Sequence, residues 1–261
     1  MIATLDQVLQ DALKQRRAVA GLVCLGWEDM RAYVRAAEAE KVPVILQAGP
    51  GCRRHTPLPV LGAMMRFLAE SASVPVVVHL DHSRDIEECR NAINAGFTSV
   101  MFDGSRLPLA ENIAQTRAVV EMAHPHGVSV EGEIGFVGYA AGEVSRGTDP
   151  DEAATFARET GIDAMAISVG NVHLQVDHET ELDTDLIAKI SAKTDCPLVI
   201  HGGSGVPKSQ RALLARQSNI CKYNIGTELR LAYWRDLRKV LTDNPERYDR
   251  VEILSELEDA I

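Results

Sequence analysis

Eight apolar runs of strand length, continuous rather than alternating, recur along this chain with helical segments between them. They are AVAGLVCL (18–25), PVILQAG (43–49), PVVVHLD (75–81), TSVMFD (98–103), VSVEGEIG (128–135), AMAISVG (164–170), PLVIHGG (197–203) and NICKYNIG (219–226). Strands that are apolar on both faces must be covered on both faces, which is the condition of a parallel sheet wrapped by helices. The intervening segments 27–41, 58–71, 84–96 and 109–127 read as helices, and Asp-Pro-Asp-Glu marks a helix start at Asp149. With no linker dividing them, the units predict an α/β fold, a single (β/α)8 TIM barrel over residues 1–261, with an extra N-terminal helix at about 4–16. An open doubly wound sheet is the competing arrangement. The barrel is preferred because the chemically unusual residues fall at the carboxyl ends of strands three to eight, where barrel active sites are built.

Those residues include three histidines. His82 closes the third apolar run, His173 follows the sixth, and the seventh ends at His201. Three neutral imidazoles around one open position form a ligand set that suits catalytic zinc. Asp81 precedes His82 and is read as a general acid/base at the same strand mouth, with orientation of a histidine as the structural alternative. Asp103 ends strand four, and Glu131 and Glu133, two residues apart, share one face of strand five. Buried carboxylates need partners, so these either join a metal network or pair with Arg or Lys. Gly202, Gly203, Ser204 and Gly205 after strand seven, with Asn224, Ile225, Gly226 and Thr227 after strand eight, occupy the usual phosphate position of a barrel.

Charge and cysteine content narrow the partners. With 27 basic and 37 acidic residues, the net charge of −10 argues against a nucleic-acid surface. Five cysteines (Cys24, Cys52, Cys89, Cys196, Cys221) lack paired spacing and read as reduced thiols. No apolar stretch approaches the length of a membrane span, and the first residues read as an amphipathic helix rather than a signal peptide. These features predict a cytoplasmic protein acting on a small molecule, with no nucleic-acid or membrane partner.

The segments HLDH (79–82), SVMFDGSRLPLAENI (99–113), SVEGEIG (129–135), HGGSGVP (201–207) and KYNIGTEL (222–229) closely resemble the class II, zinc-dependent ketose-bisphosphate aldolases, over roughly residues 18–250. The resemblance implies reversible cleavage of a ketose phosphate to dihydroxyacetone phosphate and an aldehyde, by a dimer or tetramer. It implies zinc on His82, His173 and His201, and Asp81 as acid/base on the C4 hydroxyl. Asp103 and Glu133 match the family's alternate metal position, which leaves room for a second monovalent or divalent cation. Gly202 to Ser204 and Asn224 to Thr227 match the segments that hold the ketone-side phosphate.

Several positions depart from the family pattern. Leu174 replaces a glycine after the second of the three histidines, Gly49 replaces a serine, and Gly226 replaces the aspartate of the fructose-type motif, as in the tagatose type. Leu22 and Val23 replace a Phe-Asn pair. Gly138, Tyr139, Ala140 and Ala141 stand where the family's mobile loop carries its proton-moving glutamate, so Glu143 is the expected substitute. The sequence stops at Ile261, short of an arginine that family members use for the distal phosphate. A ketose 1-phosphate with an altered far end is the expected substrate. Two alternatives are a class I enzyme using Lys222, the one lysine inside a strand, and a noncatalytic barrel subunit of an aldolase complex.

Overall fold

The computed structural model describes residues 1–140, 142–175 and 180–258; Ala141 and Ile261 lie outside the described residues. Eight parallel strands are β1 (Val19–Val23), β2 (Val44–Ala48), β3 (Val76–Ser83), β4 (Ser99–Phe102), β5 (Ser129–Ile134), β6 (Ala164–Ile167), β7 (Leu198–Ile200) and β8 (Ile220–Ile225). Each pairs with the next, and β8 returns to β1 with Lys222 opposite Val19 and Ile225 opposite Leu22. The sheet therefore closes, as the non-alternating runs predicted, and the open sheet does not form. A two-residue strand, Ile2–Ala3, pairs beside the start of β3.

The N-terminal helix closes one end of the barrel. It spans Leu5–Lys14 and is started by Thr4, whose hydroxyl accepts the Gln7 N–H. Leu5, Val8, Leu9 and Ala12 pack with Val19, Ile45, Val77, Ala164, Ala166, Val199 and Cys221 in one apolar cluster that plugs the barrel. Burying each larger side chain of this kind contributes about 1.5–3 kcal/mol. A second cluster fills the space between the strands and the outer helices. There Asp149 caps helix Pro150–Thr160, accepting the N–H groups of Asp151 and Glu152, at the predicted start.

Above the plug the barrel interior turns polar. Lys222 Nζ donates to Glu131 Oε2 at 2.5 Å and lies 3.3 Å from His79 Nε2, and His79 Nδ1 lies 2.8 Å from Ser99 Oγ. All four side chains are fully buried, so each charge depends on the others for what water would otherwise supply. Lys222 thus takes the structural role, pairing with a carboxylate.

The helix after β8, Thr227–Asp243, buries only Val240 and leaves Leu231, Trp234 and Leu241 exposed. The chain returns through helix Arg250–Glu258, where Glu258 accepts from Arg31 and Arg35 of helix Trp27–Glu40. Among the described residues no helix is long and apolar enough to cross a membrane, and all five cysteines are unpaired.

Candidate active site

A cleft of about 630 Å³ opens at the carboxyl ends of the strands. Asp81, His82, His173, Gly202, Ser204, Asn224, Gly226 and Thr227 all line it. Asp81 and His82 are consecutive, and consecutive side chains of a regular strand point to opposite faces. Here the register shifts between Leu80 and Ser83, and His82 adopts φ +53, with its N–H directed at Met101 Sδ, 3.3 Å away. This break in the pleat turns both side chains toward the cleft. A left-handed non-glycine residue costs on the order of 1–3 kcal/mol, which is tolerable where the surrounding structure fixes it.

His173 is positioned differently from the sequence picture of a strand end. It lies in the loop after β6, six residues beyond Ile167, and is tied to the loop after β5. Its N–H donates to Gly138 O, its carbonyl accepts from Ala140 N–H, and the Tyr139 ring stacks on its imidazole at 5.0 Å. His201 follows β7 directly. Its Nε2 lies 3.1 Å from Glu131 Oε1, and its carbonyl accepts from Asn171 Nδ2 at 3.0 Å.

The three imidazoles meet. Ring centroids are 4.5 Å apart for His82 and His201, 5.0 Å for His82 and His173, and 5.6 Å for His173 and His201. One nitrogen from each falls within 4.8 Å of the others, and a second set, His82 with Asp103 and Glu133, meets the same limit. His201 Nδ1 and Glu133 Oε2 are buried without hydrogen-bond partners, 3.5 Å apart. Orphaned buried donors and acceptors are costly unless something else occupies them. A cation between these groups would satisfy both, so the residues fit a metal.

The electrostatics follow from crowding charge into a dry corner. Burial disfavours the charged form of His82, yet Asp81, Asp103 and Glu133 outweigh it and hold the ring up at about 9. Burial, reinforced by His82 and His201, drives His173 down to about 2, and burial with the His82 and Lys222 charges drives His201 well below the usual histidine range. Burial and then the Asp103 charge push Glu133 up to about 8. Burial works against the Asp103 carboxylate as well, but contacts from His82, Ser105 and Arg84 hold it well below the ordinary range.

The remaining expected residues divide. Ser204 Oγ accepts from the N–H groups of Gly226 and Glu228, tying the turn after β7 to the turn after β8. Gly202, at φ +64, could not carry a side chain: a Cβ there would lie 2.1 Å from Val172 O. Gly203 lies against the Asn224 carbonyl, and Ile225 packs into the outer core rather than the cleft. Glu143 does not line the cleft; it is exposed and held by both terminal nitrogens of Arg106, with Nη1 at 2.7 Å.

The departures from the family pattern have local reasons. A Cβ at Gly226 would lie 3.0 Å from Val23 Cγ2, so the small residue at 226 and the valine at 23 accommodate each other. Leu174 carries φ +58, the left-handed conformation that a glycine would adopt without strain, and lines the cleft while remaining exposed.

Sequence reasoning did not single out Arg53, Arg84 or Arg230, and it named Tyr139 only as a departure in the mobile loop; all four line the cleft. Arg53 binds the carbonyls of Ala48, Asp81 and His82 and pairs with Glu88; Arg84 pairs with Asp103. None lies in an apolar run, so no periodicity marked them.

The family profile described as "Fructose-bisphosphate aldolase class-II" matches residues 3–261. The chain is 38% identical to the fructose-bisphosphate aldolase of Geobacillus stearothermophilus, covering all of this chain and 93% of that one. It is 39% identical to the 6-phospho-5-dehydro-2-deoxy-D-gluconate aldolase of Bacillus licheniformis, covering 94% and 86%. Among solved structures, the YdjI aldolase of Escherichia coli K12 superposes with a TM-score of 0.86 at 31% identity, over 100% of this chain and 93% of that one.

Proposed function

The chain belongs to the class II fructose-bisphosphate aldolase family, and from that premise we propose how its residues divide the work. The enzyme is a lyase that reversibly cleaves a ketose phosphate to dihydroxyacetone phosphate and an aldehyde. His82, His173 and His201 hold a catalytic zinc ion, and Asp103 and Glu133 offer an alternate position for it or for a second cation. The observation that carries this reading is the convergence of three imidazoles beside the unpartnered His201 Nδ1. When bound, the metal supplies Lewis-acid polarisation of the substrate carbonyl.

The chain's own groups supply the proton movements. Asp81 takes the proton of the C4 hydroxyl as the C3–C4 bond breaks; the electron pair stays with the ketone fragment, and the aldehyde leaves. Asn224 Nδ2, 3.4 Å from Asp81 Oδ1, helps aim that carboxylate. Glu143 returns a proton to C3 of the ketone fragment after leaving Arg106, on the glycine-containing loop of Gly135, Gly138 and Gly142. Gly202, Gly203, Ser204, Asn224, Ile225, Gly226 and Thr227 form the turns that hold the ketone-side phosphate, through backbone donors and the start of helix Thr227–Asp243.

The substrate is a ketose 1-phosphate whose far end is not a plain phosphate, since Gly49 offers no hydroxyl there. The enzyme works as a cytoplasmic dimer or tetramer, a reading supported by the free thiols and by the exposed Leu231, Trp234 and Leu241. A panel of ketose 1-phosphates assayed with chelator, and then with added Zn²⁺ or Co²⁺, tests it. Activity should vanish and return. Turnover that survives exhaustive chelation, or fructose 1,6-bisphosphate giving the highest kcat/KM of the panel, would overturn the corresponding part.

A further inference from the structure

We infer that Arg84 binds a carboxylate at the far end of the substrate, a role resting on the proposed aldol cleavage and naming the class of aldehyde it releases. The closed barrel fixes the direction in which the substrate lies. The strands follow one another around the ring, so the ends of β3 and β4 stand across the mouth from those of β7 and β8. With the phosphate on the turns after β7 and β8 and the C4 hydroxyl at Asp81 of β3, the carbons beyond C4 lead toward the loop after β3. Arg84 opens that loop and lines the cleft.

Arg84 is anchored but not used up. Asp103 takes it through Nε alone, at 3.2 Å. Among the described residues no other hydrogen bond or ion pair engages Arg84, so both terminal nitrogens stay available. Its side chain is 51% exposed, which leaves them open to a ligand. Arg53, the other cation at this end, is fixed on Glu88 and three backbone carbonyls, with its side chain 7% exposed. Arg230 stands beyond β8, on the phosphate side. Tyr139 stacks on His173 in the same cleft, close enough for the Arg84 charge to act on its phenol oxygen. A phenol O–H near the guanidinium is a second donor for the same anion.

The number of charges selects a carboxylate. One guanidinium with two terminal nitrogens matches a planar monoanion through parallel N–H groups. A phosphate dianion would face Asp85 and Glu88 at the same end, in a protein of net charge −10, with no second available cation. A neutral end would gain only ordinary hydrogen bonds. Arg84 touches the far end and not the bond broken, so it is a specificity residue.

The test is condensation by the zinc-loaded full chain, with dihydroxyacetone phosphate and one aldehyde at a time. Glyoxylate and succinic semialdehyde carry a carboxylate, glyceraldehyde is neutral, and glyceraldehyde 3-phosphate carries the dianion. The wild type should show its highest kcat/KM on a carboxylate-bearing aldehyde. In Arg84→Gln the ratio of kcat/KM for that aldehyde to kcat/KM for glyceraldehyde should fall roughly ten- to a hundredfold, chiefly through KM, as one charge-assisted contact is lost. Arg84→Lys should restore part of the ratio. An Arg84 that only braces Asp103 would lower both aldehydes together, and an unchanged ratio overturns the inference. A wild type that favours glyceraldehyde or glyceraldehyde 3-phosphate also overturns it, while the aldol reaction stands. If no aldehyde condenses, the aldol reaction itself fails and the far-end assignment falls with it.

Discussion

Gly49 and Asp81 share one corner of the cleft so closely that a Cβ added at residue 49 would lie 3.3 Å from Asp81 Oδ2. The missing side chain therefore leaves the Asp81 carboxylate its room, and Asn224 holds the other oxygen. Gly49→Ser should displace the carboxylate by a few tenths of an ångström and lower kcat without changing zinc content.

Asp81→Asn separates chemistry from metal binding. It should retain a full complement of zinc while the cleavage rate falls roughly 10²–10⁴-fold, the usual span for a lost general acid/base. Zinc stoichiometry measured beside turnover checks this. Near-native turnover would remove Asp81 from the mechanism, and proportionate loss of zinc would assign it to orienting His82.

Above pH 6.5, where the depressed His173 and His201 are neutral whether folded or unfolded, the metal-free protein should lose stability as the pH rises. His82, raised from 6.5 to about 9, contributes stability that is fully present below 6.5 and lost on passing 9. Glu133, raised from 4.5 to about 8, favours its neutral form and acts in the same direction between those values. Zinc needs a neutral imidazole, so its affinity moves the opposite way. The gain in Tm on adding zinc should be larger at pH 9 than at pH 6, and thermal unfolding at the two values decides it. A gain that shrinks with pH contradicts the ligand assignment.

Glu143 and Arg106 form an exposed pair whose bond must open before Glu143 can serve the cleft. Glu143→Gln should slow solvent-deuterium exchange into C3 of dihydroxyacetone phosphate by roughly 10²–10⁴. NMR of the exchange checks it. Unchanged exchange would pass the role to Tyr139, which already lines the cleft over His173.

Lys222 should be inert to substrate. Fully buried and bonded to Glu131, it should give no borohydride-trapped adduct, as mass spectrometry can establish. Lys222→Met takes the cation away from the buried Glu131 carboxylate, leaving only histidine contacts, and should destabilise the fold by about 3–5 kcal/mol, read from urea unfolding. A trapped adduct on Lys222 would sink the assignment to metal-dependent chemistry.

The barrel was legible because it is written in periodicity: continuous apolar runs permit little besides a parallel sheet covered on both faces, and eight of them permit closure. The histidines and Asp81 were legible because they stand at the ends of those runs, where residue type and position coincide. The sequence could not show how Asp81 and His82, neighbours that a regular strand would point apart, come to face one cleft. That depends on a register shift against β4 and on φ +53 at His82, neither of which has a local signature. Nor could it show that His173 stands off its strand, held by Gly138 and Ala140 from another loop, or that Glu143 is tied to Arg106. Arg230 and Gly226 are near in sequence, but Val23, which closes off residue 226, arrives from β1 across the barrel seam. Burial patterns repeat along the chain and can be read there, whereas the pairing of single polar groups is decided by which strand ends the closed barrel brings together.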